Sequence, residues 1–142
     1  MSVKVELRHS FGSFTLDVAF RIERPGVTAL FGPSGAGKTS VINCIAGLLR
    51  PREGCIVLNG RAVLDTKAGA FLPARARRVG YVFQDSRLFP HMSVADNLRF
   101  GLRRAPEPAS DSDVAHVIDL LGLPQLLTRF PKALSGGEKG RV

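Results

Sequence analysis

Residues 32–39 read GPSGAGKT, an arrangement of residue types equipped to hold a polyphosphate. Gly32, Gly35 and Gly37 lack a Cβ, so the backbone can take up left-handed conformations and turn its amides inward around an anion. Pro33, Ser34 and Ala36 complete the loop. Lys38 is placed to reach the outer phosphates as a point charge, and the Thr39 hydroxyl is a hard oxygen ligand suited to Mg²⁺. Ser40 continues into a helix whose uncapped N–H groups and dipole favour negative charge at its start. A chance glycine turn is the competing account. The context favours phosphate binding, because residues 27–31 (VTALF) read as a short buried strand and residues 40–49 (SVINCIAGLL) set Val41, Ile42, Ile45, Ala46 and Leu49 on one helical stripe.

Two further places have chemical potential. Residues 79–83 (VGYVF) form an apolar strand pattern that runs directly into Gln84. A polar side chain at the end of a core strand, in a chain with a phosphate loop, can meet Mg²⁺ or an attacking water, although Gln84 also suits an ordinary loop. Residues 134–138 (LSGGE) combine a capping box, Ser135 with Glu138, with the glycine pair Gly136 and Gly137. Each glycine costs a helix about 1 kcal/mol relative to alanine, so a compensating use of the bare amides is expected, and a second anion-binding terminus is the physical reading.

The elements that would position these groups follow from periodicity. Val3, Val5 and Leu7 alternate with polar residues, as do Phe14, Leu16, Val18 and Phe20, which predicts two half-buried strands joined by a turn at Gly12. Phe11 falls in this link, where stacking on a purine base and ordinary packing are equally good local readings. Residues 55–58 and 61–64 flank Asn59-Gly60, the strongest short hairpin signal, and a variable loop then runs to Pro73. Ser93 and Asp96 mark a helix start, residues 105–113 (APEPASDSD) read as an exposed linker, and Val114, Val117, Ile118 and Leu121 predict a second helix that stops at Gly122 with His116 on its surface. The expected organisation is a nucleotide-binding core with an antiparallel β-subdomain over residues 1–91 and a helical lobe over 92–142.

The 142 residues are 44% hydrophobic, enough for a real core, and no stretch approaches the ~20 apolar residues of a membrane span. The start lacks the plan of a secretory signal, so a cytosolic location is the default. Cys44 and Cys55 read as small buried thiols, neither disulfide nor metal site. The net charge of +8 invites a nucleic-acid reading. Its densest cluster, Arg75, Arg77 and Arg78, has no interleaved aromatic platform, so a solvated basic face is the plainer reading and no nucleic-acid partner is expected.

The order GPSGAGKTS, VFQ, LSGGE resembles the ATP-binding subunits of ABC transporters over essentially the whole chain. The resemblance implies an α/β P-loop NTPase of the ABC-ATPase type, with an N-terminal antiparallel β-subdomain, a RecA-like core and a helical subdomain. It implies ATP and Mg²⁺ as ligands, Gly32 to Ser40 as the Walker A loop, Gln84 as the Q-loop glutamine, Ser135, Gly136 and Gly137 as signature residues, and Phe11 as the ring stacked on adenine. Lys38 and Gln84 would be the catalytic residues, with Thr39 and Gln84 at the metal. In such ATPases two subunits pair head to tail, so the signature residues act on the partner's nucleotide. The stretch 85–90, which opens on Asp85 and closes on Pro90, is similar to the surface that receives the membrane permease subunit, with a solute-binding protein engaged indirectly. The expected location is thus peripheral, on the cytoplasmic face of the inner membrane. Within the family, VLNGR and RRVGYVFQDSRLFPHMSVADNLRFGL are most similar to molybdate importers. Importers of sulfate, iron, polyamine or sugar, a non-transport family member acting on nucleic acid, and an inactive binding module are the alternatives. Two departures stand out. Gly140 occupies a position where the family usually has Gln, and the sequence carries no Walker B strand, while His9, His91 and His116 match no switch histidine. The expectation is an N-terminal portion of a longer protein that is inactive as an ATPase by itself.

Overall fold

A computed structural model describes residues 2–105, 107 and 109–142, which form two compact units, Met1–Tyr81 and Val82–Val142. The first unit is built on an antiparallel sheet in the order β2-β1-β3-β4-β5, from β1 (Val3–Phe11), β2 (Phe14–Ile22), β3 (Glu53–Leu58), β4 (Arg61–Asp65) and β5 (Ala70–Phe71). β1 and β2 pair in continuous register from Val3↔Ile22 to Phe11↔Phe14, so Phe11 belongs to the strand, and the link contracts to Gly12 and Ser13. Asn59 and Gly60 both have positive φ, 50° and 77°, as a two-residue hairpin turn requires. The β3–β4 register shifts between Ile56 and Val57, a bulge that still leaves Ile56, Val63 and Leu64 buried. The short β5 lies in the stretch expected to be a variable loop, paired through Leu64↔Phe71.

One sheet face carries the core. Val3, Val5, Leu7, Ile56, Val63 and Leu64 pack with Cys44 of α1 (Lys38–Ala46). The helix is shorter than the expected stripe because Gly47, at φ 80°, ends it and donates its N–H back to Asn43 and Cys44. Within the stripe Val41 and Ala46 are buried, whereas Ile42 is exposed.

The strands expected over 27–31 and 79–83 are not formed. Neither segment has a ladder partner among the described residues, and Val27, Phe31 and Val82 are almost wholly exposed. An apolar run records a demand for burial; a strand also needs a hydrogen-bonded neighbour, and the described sheet, wholly antiparallel, offers these segments none.

The second unit contains α2 (Val94–Leu102), α3 (Asp111–Leu120) and α4 (Gly136–Arg141), with Val94, Leu123, Leu126 and Leu134 as its core. Ser93 caps α2 by accepting the Asp96 N–H. The predicted linker gives way to α3 earlier than expected, since Ser110 accepts the Asp113 N–H and places Asp111 and Asp113 in the first turn. The linker residues Pro106 and Pro108 lie outside the described residues. On α3, Val114 and Ile118 are half-buried, but Val117 and His116 face solvent. Among the described residues no helix is long and apolar enough to cross a membrane.

Candidate functional site

The loop that precedes α1 has the local geometry of an anion nest. Gly35 and Gly37 stand at φ 81° and 84°, and Gly37 is the N-cap of α1 with no side chain capping the helix and no acidic residue in its first turn. The first-turn amides are therefore left to an external acceptor, where the helix dipole adds to their pull on negative charge. The Lys38 ammonium donates to the carbonyls of Gly32 and Pro33 at 2.8 and 2.7 Å. Held by neutral carbonyls, and with no carboxylate partner among the described residues, its charge stays available to an anion.

A cavity of about 390 Å³ opens over this loop. Phe11, Ser34, Gly35, Gly37, Lys38, Thr39 and Ser40, all expected site residues, line it together with Phe14, which was read only as a strand residue. Gly32, Pro33 and Ala36 form the rest of the loop, closed by an Ala36 N–H to Pro33 carbonyl bond of 3.3 Å. Thr39 is exposed, and among the described residues its hydroxyl joins those of Ser34 and Ser40 as the hard side-chain oxygens of the cavity. No carboxylate lines this cavity among the described residues.

Behind the loop, α1 is fixed at its far end by Arg77. This residue is only 5% exposed, which corrects the reading of Arg75, Arg77 and Arg78 as one solvated face. Its Nη1 donates to the carbonyls of Cys44 (2.7 Å) and Ile45 (2.9 Å) and its Nε to Leu72 (2.7 Å), while the guanidinium carbon lies 5.1 Å from the Phe71 ring centroid. A cation at a helix C-terminus satisfies orphan carbonyls and complements the dipole. Tyr81 adds a 2.8 Å bond to Asn43 on the same helix. Burial pushes the Cys44 thiol up to about 11, so it stays neutral beside Arg77. Cys55 is half-buried, and both cysteines are free. Sequence reasoning missed Arg77 because charge alone reads as solvated, and the helix end it serves lies some thirty positions earlier in the chain, at Gly47.

Gln84, Ser135, Gly136 and Gly137 belong to the second unit. Gln84 is exposed in a bend. Ser135 and Glu138 form the full expected capping box: Ser135 N–H donates to Glu138 at 2.7 Å and Glu138 N–H to the Ser135 hydroxyl at 3.3 Å. The backbone and hydroxyl of Ser135 hold the Glu138 carboxyl below the usual carboxylate range. A Cβ at Gly136 or Gly137 would meet nothing within 4 Å.

Comparison with known proteins follows the same lines. The profile of the family described as "ABC transporter" matches residues 15–142. The chain is 56% identical, over all of its length, to a protein of Mesorhizobium japonicum named "Molybdenum import ATP-binding protein ModC", and 45% identical over 99% of its length to the protein of that name in Haemophilus influenzae. It spans 38% and 39% of the length of these two relatives. A solved ATP-binding subunit of an ABC transporter superposes with a TM-score of 0.78 at 26% identity, covering 99% of this chain and 59% of that one. A dimeric ATP-binding cassette bound to ADP and Pi superposes at 0.75 and 24% identity, covering 98% and 66%.

Proposed function

This chain belongs to the ABC transporter family, and from that premise we propose that it forms the nucleotide-binding part of an ATPase that drives molybdate import. The observation that carries the nucleotide half is the Lys38 loop: an uncapped helix N-terminus, two left-handed glycines and a lysine held by loop carbonyls, all lining one cavity. Support for the cargo comes from relatives 45–56% identical to this chain, which are named molybdenum import ATP-binding proteins.

In this reading the amides around Gly35 and Gly37 and the first turn of α1 hold the β-phosphate, and Lys38 moves from its loop carbonyls to the terminal phosphates. The hydroxyl of Thr39 fits Mg²⁺ in its usual nucleotide role, with few protein ligands and the rest from phosphates and water; the family resemblance adds Gln84, of the second unit, as a candidate ligand. Bound there, the ion would neutralise charge on the transferring phosphoryl group. Ser135, Gly136 and Gly137 act on the nucleotide of a second ATPase subunit. Among the described residues a Cβ at either glycine would meet nothing within 4 Å, so in this reading their cost to α4 is offset by a group from outside. The stretch 85–90 docks a permease subunit at the cytoplasmic face of the membrane.

The test is molybdate accumulation at low external supply in a strain deleted for the gene that encodes this chain. Restored uptake with the wild-type gene and none with Lys38→Ala is expected; normal uptake in the deletion strain would exclude the transport reading. Purified Lys38→Ala chain should lose most ATP binding, at least tenfold, with an unchanged unfolding midpoint, because a partly exposed charge leaves while the core stays intact.

A further inference from the structure

The stretch 77–81 is pinned to α1 at two points. Arg77 donates through Nη1 to the carbonyls of Cys44 and Ile45 at 2.7 and 2.9 Å, and the Tyr81 hydroxyl donates to Asn43 Oδ1 at 2.8 Å. Between them the Arg78 backbone stands at φ 54°, a left-handed setting that a residue with a Cβ holds only where its surroundings dictate it.

The two pins restrain different freedoms of the helix. Arg77 grips the last-turn carbonyls and ties them through Nε to the Leu72 carbonyl, just past the end of β5, which fixes the helix along its axis. Asn43 follows Thr39 by four residues and so lies on the same helix face, where a bond to its side chain resists rotation about the axis. On another face Cys44 packs into the sheet core, but apolar contact is non-directional and leaves sliding and rotation open. The first turn, about 13 Å away along the helix, has no side-chain cap of its own, so its position is inherited from the restrained end.

Packing alone does not account for Arg77. Its Nη2 is buried and makes no hydrogen bond among the described residues. A buried cation with an unsatisfied donor is often no more stabilising than an apolar side chain of similar volume. The directed bonds to three carbonyls are what an apolar side chain could not supply.

We propose that Arg77 and Tyr81 are positioning residues of the phosphate site: acting through α1, they hold its first-turn amides where a polyphosphate meets them together. The inference rests on the nucleotide reading of the Lys38 loop and adds the residues that keep the helix of that loop in its binding-competent setting. When a restraint is removed the helix divides its time among settings, and apparent affinity falls with the fraction spent in the competent one. Loss of one neutral hydrogen bond shifts such an equilibrium roughly two- to tenfold.

Calorimetric titration of the 142-residue chain with inorganic tripolyphosphate reads the phosphate site without a base. Tyr81→Phe keeps the ring and removes only the hydroxyl. It should weaken tripolyphosphate about fivefold, Asn43→Ala should do the same, and the double variant should lose no more than either, because both changes remove one bond. Arg77→Met should bind on the order of tenfold more weakly, with Arg77→Lys, which returns a cation to the helix end, recovering part of the loss. Should Arg77→Met fail to fold, the Tyr81 and Asn43 cycle still decides. Unchanged affinity in folded Tyr81→Phe, whatever its unfolding midpoint, would show a bond that serves stability alone, and additive losses in the double variant would show that the two side chains do not act through their bond; either overturns the inference. Lys38→Ala reads the loop independently, since it should abolish tripolyphosphate binding. Retained binding there would overturn the loop reading and this inference with it, whereas its loss alongside an indifferent Tyr81→Phe would overturn the inference alone.

Discussion

At the scale of single residues, the phosphate loop is held from behind as well as presented from the front. Gly47 is where the two demands meet. Its φ of 80° suits glycine, and a Cβ there would sit 2.6 Å from Arg77 Nε, 2.9 Å from Cζ and 3.0 Å from the Ala74 nitrogen. Arg77 cannot withdraw cheaply, because its guanidinium satisfies the carbonyls of Cys44, Ile45 and Leu72 in a site where it is 95% buried by accessible surface. Gly47→Ala is therefore expected to destabilise the first unit by about 2–3 kcal/mol, the sum of backbone strain and a displaced buried cation, which urea unfolding of the variant would read directly. A change within about 0.5 kcal/mol would mean that Arg77 moves freely and does not fix α1. The glycines of the loop were legible in the sequence because a motif of fixed spacing carries its own chemistry. Arg77 was not, because its role depends on a helix end more than thirty positions away in the chain, as its 2.7 Å bond to the Cys44 carbonyl illustrates.

At the scale of elements, α4 shows a local sequence rule and an external demand acting on the same turn. The capping box sets where the helix begins, and it was readable from Ser135 and Glu138 alone. Gly136 and Gly137 oppose the helix that the box starts, and a Cβ at either would meet nothing within 4 Å among the described residues, so no packing seen there requires glycine. Gly137→Ala should accordingly stabilise α4 by about the 1 kcal/mol that separates the two residues, while in the transporter proposed above it should lower ATP turnover. Amide hydrogen exchange across α4 and turnover in the reconstituted complex are the paired measurements. Faster exchange, or turnover equal to wild type, would remove the argument that these amides serve a partner. The hairpins and the starts of α2 and α4 were likewise legible, since Asn59-Gly60, Ser93 and Ser135 act within a few residues. Residues 27–31 and 79–83 were read as strands on composition, and the structure withholds that status because pairing is a property of two segments. The short β5 escaped notice for the converse reason: its two residues have no pattern of their own and are a strand only through Leu64 and Asp65.

At the scale of the whole molecule, nucleotide binding and nucleotide turnover make different demands on the chain. On the proposed reading, binding draws on the Lys38 loop, α1 and the β1–β2 hairpin, all within the unit Met1–Tyr81, whose sheet and helix share one core. Turnover needs in addition a group that orients the attacking water and a second anchor for the metal. The cavity over the loop is lined among the described residues by aromatic rings, glycines, hydroxyls and one lysine, and nowhere among these residues do three or more acidic, histidine or cysteine side chains gather into a metal-binding group. Val27 and Phe31 in the first unit, and Val82 in the second, each present apolar surface to solvent, which favours self-association in a chain on its own. The 142-residue chain should therefore bind ATP but release no phosphate above the background of its Lys38→Ala variant, and its sedimentation should show association that Val27→Thr with Phe31→Ser reduces. Steady phosphate release by a monodisperse wild-type chain, lost in Lys38→Ala, would mean that this cavity already holds every group the reaction needs and that the apolar segments have no part in completing it.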